Sequence, residues 1–140
     1  VCVLTLPEHR FGYRTSRVKE TPGMIVLSTV LSLKPGKREE IEAKMADFAA
    51  RRRDKQPLQY PSAGSAYKRP QGNFAGQLIE QCGLKGFQIG GARVSDKHAG
   101  FIVNAGGATA GDVLRLMEHI EKTVFERTGV RLEREICVLD

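Results

Sequence analysis

Tryptophan is missing from these 140 residues, and tyrosine and phenylalanine supply only 6% of them. No aromatic stacking motif, recognition-helix pattern or zinc-finger spacing is present, so a nucleic-acid partner is not expected. Cysteine is scarce as well. Cys2, Cys82 and Cys137 form no CxxC pair, and three thiols cannot all be bridged within one chain. A reduced, cytoplasmic setting is the expectation. His9, His98 and His119 have no metal-ligand spacing, so no metal is expected. Long apolar runs are lacking too. The best, Met24 to Leu33, has ten residues and includes Ser28, Thr29 and Ser32, too few to span a bilayer. No signal peptide is evident, and Val1 is not an initiator methionine, so the natural start is expected upstream.

Motifs of standard chemistry are absent in the same way. Ser65 lies in Ala-Gly-Ser-Ala-Tyr, which is not the G-x-S-x-G nucleophile elbow. Gly106-Gly107 follows a strand-like run and opens a helix, but it lacks G-x-G-x-x-G and the acidic residue expected after it. It reads as a tight structural connection.

What is present begins with a core and a charge. A hydrophobic content of 41% over one domain's length suits a soluble globular protein. The net charge is +6, densest at Arg51-Arg52-Arg53-Asp54-Lys55. Cations at the end of a predicted helix complement its dipole, and a basic site for a small polyanion accounts for the rest.

Val1–Leu6 reads as a strand left by the turn Pro7–Arg10, and Met24–Leu33 as a second, bounded by Pro22-Gly23 and Pro35-Gly36. Lys37 to Arg53 is a predicted helix, with Ile41, Met45, Phe48 and Ala49 at helical spacing. Asn73 caps a short helix whose apolar residues are Phe74, Leu78, Ile79 and Cys82, with Gly83 as its stop; Cys82 is expected in the core. Phe87–Ser95 and Gly100–Asn104 read as strands of a hairpin around Asp96-Lys97-His98. A long helix follows, capped by Thr109 with Asp112, burying Val113, Leu116, Met117, Ile120 and Val124 and ending at Gly129. In the last predicted strand Val130, Leu132, Ile136 and Val138 face one way, interrupted by Arg134, with Glu133, Glu135 and Cys137 facing the other. The mixed order predicts an α+β fold, with helices against one mixed sheet in two layers.

Pro61 to Gly72 is the most unusual stretch. Ser62 to Ser65 leave a backbone that a ligand can approach closely, Gly64 above all, and Tyr67, Lys68 and Arg69 set an aromatic face and two cations beside it. This stretch resembles the serine loop of the UDP-N-acetylenolpyruvoylglucosamine reductase family. The likeness continues through Phe-Gly-Tyr-Arg-Thr-Ser at 11–16, Phe-Ala-Gly-Gln-Leu-Ile-Glu at 74–80, Gly-Leu-Lys-Gly-Phe-Gln-Ile-Gly-Gly-Ala at 83–92 and Leu-Glu-Arg-Glu-Ile at 132–136.

The resemblance implies a flavoenzyme of cell-wall precursor synthesis that uses FAD and NADPH. In it, residues 1–20 would be the end of a flavin-binding domain and 21–140 the substrate-binding domain. The flavin site would then lie mostly outside this chain, which alone should be inactive. Only Lys34-Pro35-Gly36 stands where one branch of the family inserts a tyrosine lid, so this chain resembles the shorter branch. By similarity Ser65 donates a proton to C2 of the enolpyruvyl group, while Arg14 and Glu135 hold and polarise the developing enol. Lys55 matches a lysine near the diphosphate of the UDP-sugar, Lys68 and Arg69 would lie close to it, with Arg69 where some members have asparagine, and His98 matches a position near the substrate carboxylate. Cys137 stands where arginine is common, and Leu139-Asp140 replaces the usual Ile-Gly ending. Two other readings stay open: a nucleotide-sugar-binding module without redox chemistry, and a basic interaction domain. Val1–Leu6, cut off from its sheet, is expected to reorder or to pair with a second copy.

Overall fold

The computed structural model describes residues 1–139, so Asp140 and the expectation placed on it lie outside the described residues. The chain divides into two units, Val1–Lys37 and the residues from Arg38 onward.

In the first unit, Pro7–His9 forms a 3₁₀ turn and Arg17–Glu20 a one-turn helix, α1, capped by Ser16, whose Oγ accepts from the Lys19 amide at 3.3 Å. The two strands expected here do not form. Val1–Leu6 is irregular, with Val1 and Val3 exposed, and Met24–Leu33 has no strand either. The reason is physical: a strand is completed by a neighbouring backbone, and the ladder contact described in this unit is the bridge of Gly12 with Thr15.

The second unit begins with α2, Arg38–Lys55. Its sequence predicts an apolar stripe, yet Ile41, Met45 and Phe48 are all exposed and the helix buries nothing. Pairs one turn apart support it: Arg38 Nε donates to Glu42 at 2.7 Å, and Arg51 Nε to Asp47 at 3.0 Å.

The core of this unit forms around α4, Ala110–Thr128. The Thr109 side chain accepts from the Asp112 amide and the Asp112 carboxylate accepts from the Thr109 amide, a complete capping box. Leu116, Met117, Ile120 and Val124 are buried along one stripe, with Val113 partly so, and Gly129 ends the helix at φ 72°. Against this stripe pack the short helix α3, Ala75–Gln81, and a sheet of β1 (Gln88–Ile89), β2 (Ala92–Val94) and β3 (Ile102–Asn104). Cys82 is buried beside them, as expected.

The fold is α+β, but the sheet's pairings are antiparallel throughout the described residues, not mixed. Two boundaries also differ from the sequence reading. The cap of α3 is Phe74, not Asn73, whose side chain instead donates to the Gln71 carbonyl. The run 87–95 is two strands, not one, because Gly90 and Gly91 turn it. A Cβ on Gly90 would fall 2.4 Å from the Asp112 carboxyl carbon, and one on Gly91 would fall 2.3 Å from the Ala108 nitrogen. The chain thus passes hard against the start of α4, where only glycine fits. The expected last strand survives only as a short ladder around Arg134. Leu132 and Ile136 pack on the core, while Val138 is exposed.

Candidate functional site: the serine loop

Ser62 to Ser65 are not a free surface loop. They run antiparallel along the open edge of β3: the Asn104 amide donates to the Pro61 carbonyl at 2.9 Å, Ser62 Oγ donates to the Ile102 carbonyl at 2.8 Å, and Ser65 bridges Phe101. Side chains too small to clash let this backbone lie flat on the strand edge. Gly64 sits at φ +91° with nothing near the place of a Cβ, so one side of the loop is open.

The next residues are tied on both flanks. The Ala66 amide donates to Gly100 at 2.8 Å, and the Ala66 carbonyl accepts from the Glu135 amide at 2.9 Å. Tyr67 faces Arg134, and the Lys68 amide donates to the Glu133 carbonyl at 2.8 Å. Ser65 is therefore adjacent to a residue bonded directly to the Glu135 backbone. Ser65 itself is exposed, and its Oγ donates only a 3.3 Å bond to the Tyr67 carbonyl. Glu135 is half-buried, with Oε2 shielded from solvent.

His98 joins the same network. Its Nδ1 accepts from the Gly100 amide at 3.0 Å, which leaves the neutral ring's proton on Nε2, the outward donor. Its ring rests edge-on to Phe101 and close to Gly76, where a Cβ would come within 3.1 Å of it. Lys68 Nζ pairs with Glu133 Oε1, and the Arg69 guanidinium lies 4.0 Å over the Phe74 ring. Lys55 is the exposed last residue of α2. The loop carrying His98 reaches that end of the helix, where Lys97 Nζ donates to the Arg53 carbonyl at 2.6 Å.

Tyr67 corrects one expectation. Its side chain does not offer an aromatic face to a ligand; it is 2% exposed and its hydroxyl donates to the Met117 carbonyl at 3.0 Å. Burial, with Glu121 adding to it, pushes the phenol far above its ordinary range, so it stays neutral. The alternation of a strand-like segment turns this ring into the core. Arg14 belongs to the first unit. It sits in the turn bridged by Gly12 and Thr15 at φ 59°, a left-handed conformation uncommon for a non-glycine residue, with its guanidinium 5.4 Å from the Tyr13 ring.

Two partners were not singled out from sequence. Glu133 holds Lys68, and Glu121 on α4 receives a forked pair of bonds from Arg134, at 2.6 and 2.9 Å. The signal for the second was the arginine breaking the apolar alternation of residues 130–138. Glu121, through hydrogen bonds first and charge second, raises the Arg134 pKa above its already high value.

The chain is similar to several known proteins. A UDP-N-acetylenolpyruvoylglucosamine reductase from Caldanaerobacter subterraneus is 52% identical over 139 residues, covering 99% of this chain and 46% of the relative. The Clostridium perfringens protein of the same name is 50% identical over 136 residues, covering 97% and 44%. The chain thus spans a little under half the length of these curated relatives. The crystal structure of UDP-N-acetylenolpyruvylglucosamine reductase from Thermus caldophilus superposes with a TM-score of 0.77 at 42% identity, over 94% of this chain and 47% of that one. Residues 56–139 match the family pattern described as UDP-N-acetylenolpyruvoylglucosamine reductase, C-terminal domain, and with 60% of its length matched in this way the chain belongs to that family.

Proposed function

We propose that this chain is the substrate-binding part of an NADPH- and FAD-dependent reductase, acting in the cytoplasm, that converts UDP-N-acetylglucosamine enolpyruvate to UDP-N-acetylmuramate. The observation that carries the reading is the backbone tie between the serine loop and Glu135, in a chain of the reductase family. The dinucleotide-like glycine turn does not fit FAD. The glycine turn before α4 is filled by its own chain, with Asn104 Oδ1 accepting from the Gly106 amide at 3.0 Å and the Ala108 amide at 3.1 Å. Hydride for C3 of the substrate is the chemistry that a flavin would supply if bound.

This chain's residues hold the substrate and supply the proton. A serine hydroxyl is a weak acid, so it needs a strongly basic acceptor held close, and an enolate carbon at C2 is one. Among the described residues the Ser65 hydroxyl is engaged only in a long bond, and it turns to such an acceptor at little cost. Arg14 offers a forked, permanently charged donor to a carboxylate whose charge grows in the transition state. Glu135 assists in its protonated form or through a bridging water, since a bare anion would oppose that charge. Lys68 and Arg69 attract the diphosphate, and His98 presents Nε2–H to the carboxylate.

In the full-length enzyme, Ser65→Ala should leave flavin reduction by NADPH intact and slow reoxidation by the enolpyruvyl substrate about 10²–10⁴-fold, the usual worth of a general acid. Stopped-flow absorbance reads both halves. Reoxidation at the unmodified rate would remove Ser65 from the proton-donor role.

The second reading, a nucleotide-sugar-binding module without redox chemistry, draws on the filled glycine turn. A full-length protein that binds UDP-sugar but purifies without flavin would favour it.

A further inference from the structure

Leu132-Glu133-Arg134-Glu135-Ile136 nearly repeats itself every two residues. Strand side chains recur with the same period. Moving this segment two positions along residues 65–68 would therefore keep the same face toward the core and put Glu133 where Glu135 now lies, with Val130 and Leu132 taking the places of Leu132 and Arg134, and Arg134 that of Ile136. Apolar packing opposes the shift at one place, that of Ile136, which is only partly buried against the core. Arg134 does choose. It faces Tyr67, and its guanidinium grips Glu121 on α4 through Nε–Oε1 at 2.6 Å and Nη2–Oε2 at 2.9 Å. Both side chains are half-buried, 33% and 27% exposed, so a shift would leave each short of a partner away from full solvent. In the register shifted by two, Leu132 would face Tyr67. Lys68 would exchange Glu133 for Arg131, a like charge.

We infer that the Glu121–Arg134 pair is a register lock, selecting Glu135 over Glu133 as the carboxylate beside the serine loop. The inference rests on the reading of Ser65 and Glu135 given above. Glu121 and Arg134 are positioning residues, acting through the backbone that carries Glu135. An ion pair away from solvent adds little net stability, and fixing register is its best-attested use. The rest of the ladder is short, with Glu135 and Lys68 giving one amide bond each, so apart from the packing of Ile136 little else resists a slip.

The test compares the full-length, flavin-loaded enzyme with its Glu121→Gln/Arg134→Met variant, which keeps volume and removes both charges. The melting temperature should be equal or higher, and flavin reduction by NADPH unchanged. Reoxidation by the enolpyruvyl substrate should fall about 10²-fold, the scale of a small misplacement of a reacting group. Adding Glu133→Gln should lower the residual rate by a larger factor in the variant than in the unmodified enzyme, because there Glu133 stands in for Glu135. A merely structural pair would lower stability and both half-reactions together. Reoxidation at the unmodified rate overturns the lock. If the unmodified enzyme is not reoxidised, the functional reading fails, and hydrogen exchange of the Ala66, Lys68 and Glu135 amides decides the lock alone. Faster exchange in the variant upholds it and equal exchange overturns it. Should the double variant fail to fold, Arg134→Lys, which keeps the charge and loses the fork, is judged by the same measurements.

Discussion

Lys68 and Tyr67 are neighbours in the chain and do opposite things. Lys68 keeps its ammonium at the surface on Glu133, whereas Tyr67 turns into the core to reach Met117. Each therefore makes a separate prediction. Lys68→Met should weaken UDP binding about 10- to 100-fold, since hydrogen bonds to charged groups contribute about 1.5–3 kcal/mol. Calorimetric titration with UDP measures this, and an unchanged affinity would take Lys68 out of the diphosphate site. Tyr67→Phe should leave UDP affinity alone and cost about 0.5–1.5 kcal/mol of stability, the net worth of one hydrogen bond. Its denaturation midpoint is the readout. From the sequence Tyr67 looked like part of the ligand face, because a run of polar and small residues gives no sign of which side is buried.

Helix α4 is the element most completely written in its own residues. Cap, apolar stripe and stop lie within residues 109–129, and each acts locally. Thr109→Ala should cost about 1 kcal/mol by stripping one half of the capping box. Bonds from Thr109, together with one from the Gly91 amide and the charge of Arg115, hold the Asp112 carboxyl below the usual carboxylate range. A depressed pKa means that its contribution is fully present above the unfolded value, about 4, and is lost as pH falls through the folded value. The acid limb of the stability curve should therefore be shallower in Asp112→Asn, which removes the titrating group, as pH-dependent melting would show. At the facing turn, Gly91→Ala should destabilise by about 3 kcal/mol or more, because the added carbon meets backbone atoms that cannot turn aside. A melting temperature matching the unmodified chain would mean that this turn is looser than described. The Gly90-Gly91 break was harder to read from sequence than the helix, since nothing local says that α4 passes beneath it.

For the molecule as a whole, the expectation is that this 140-residue chain, purified alone, is colourless and does not oxidise NADPH. Stoichiometric flavin absorbance after gel filtration would contradict it. The sequence by itself determined the α+β class, the helices 38–55, 75–81 and 110–128 to within a few residues, and the family. These follow from short-range periodicity, from caps, and from motifs that survive as strings. Tertiary structure alone decided which strands exist. Val1–Leu6 and Met24–Leu33 carry strand-forming residues but no ladder, while the low-propensity Ser62–Ala66 lies on a sheet edge because β3 offers one. A strand depends on a partner far along the chain, and propensity cannot name that partner. The backbone link between Glu135 and the neighbour of Ser65, seventy residues from that serine, was likewise invisible to composition and spacing. It is made by two backbone hydrogen bonds, from the Glu135 amide to Ala66 and from the Lys68 amide to Glu133, beside an arginine that the apolar pattern showed only as an interruption.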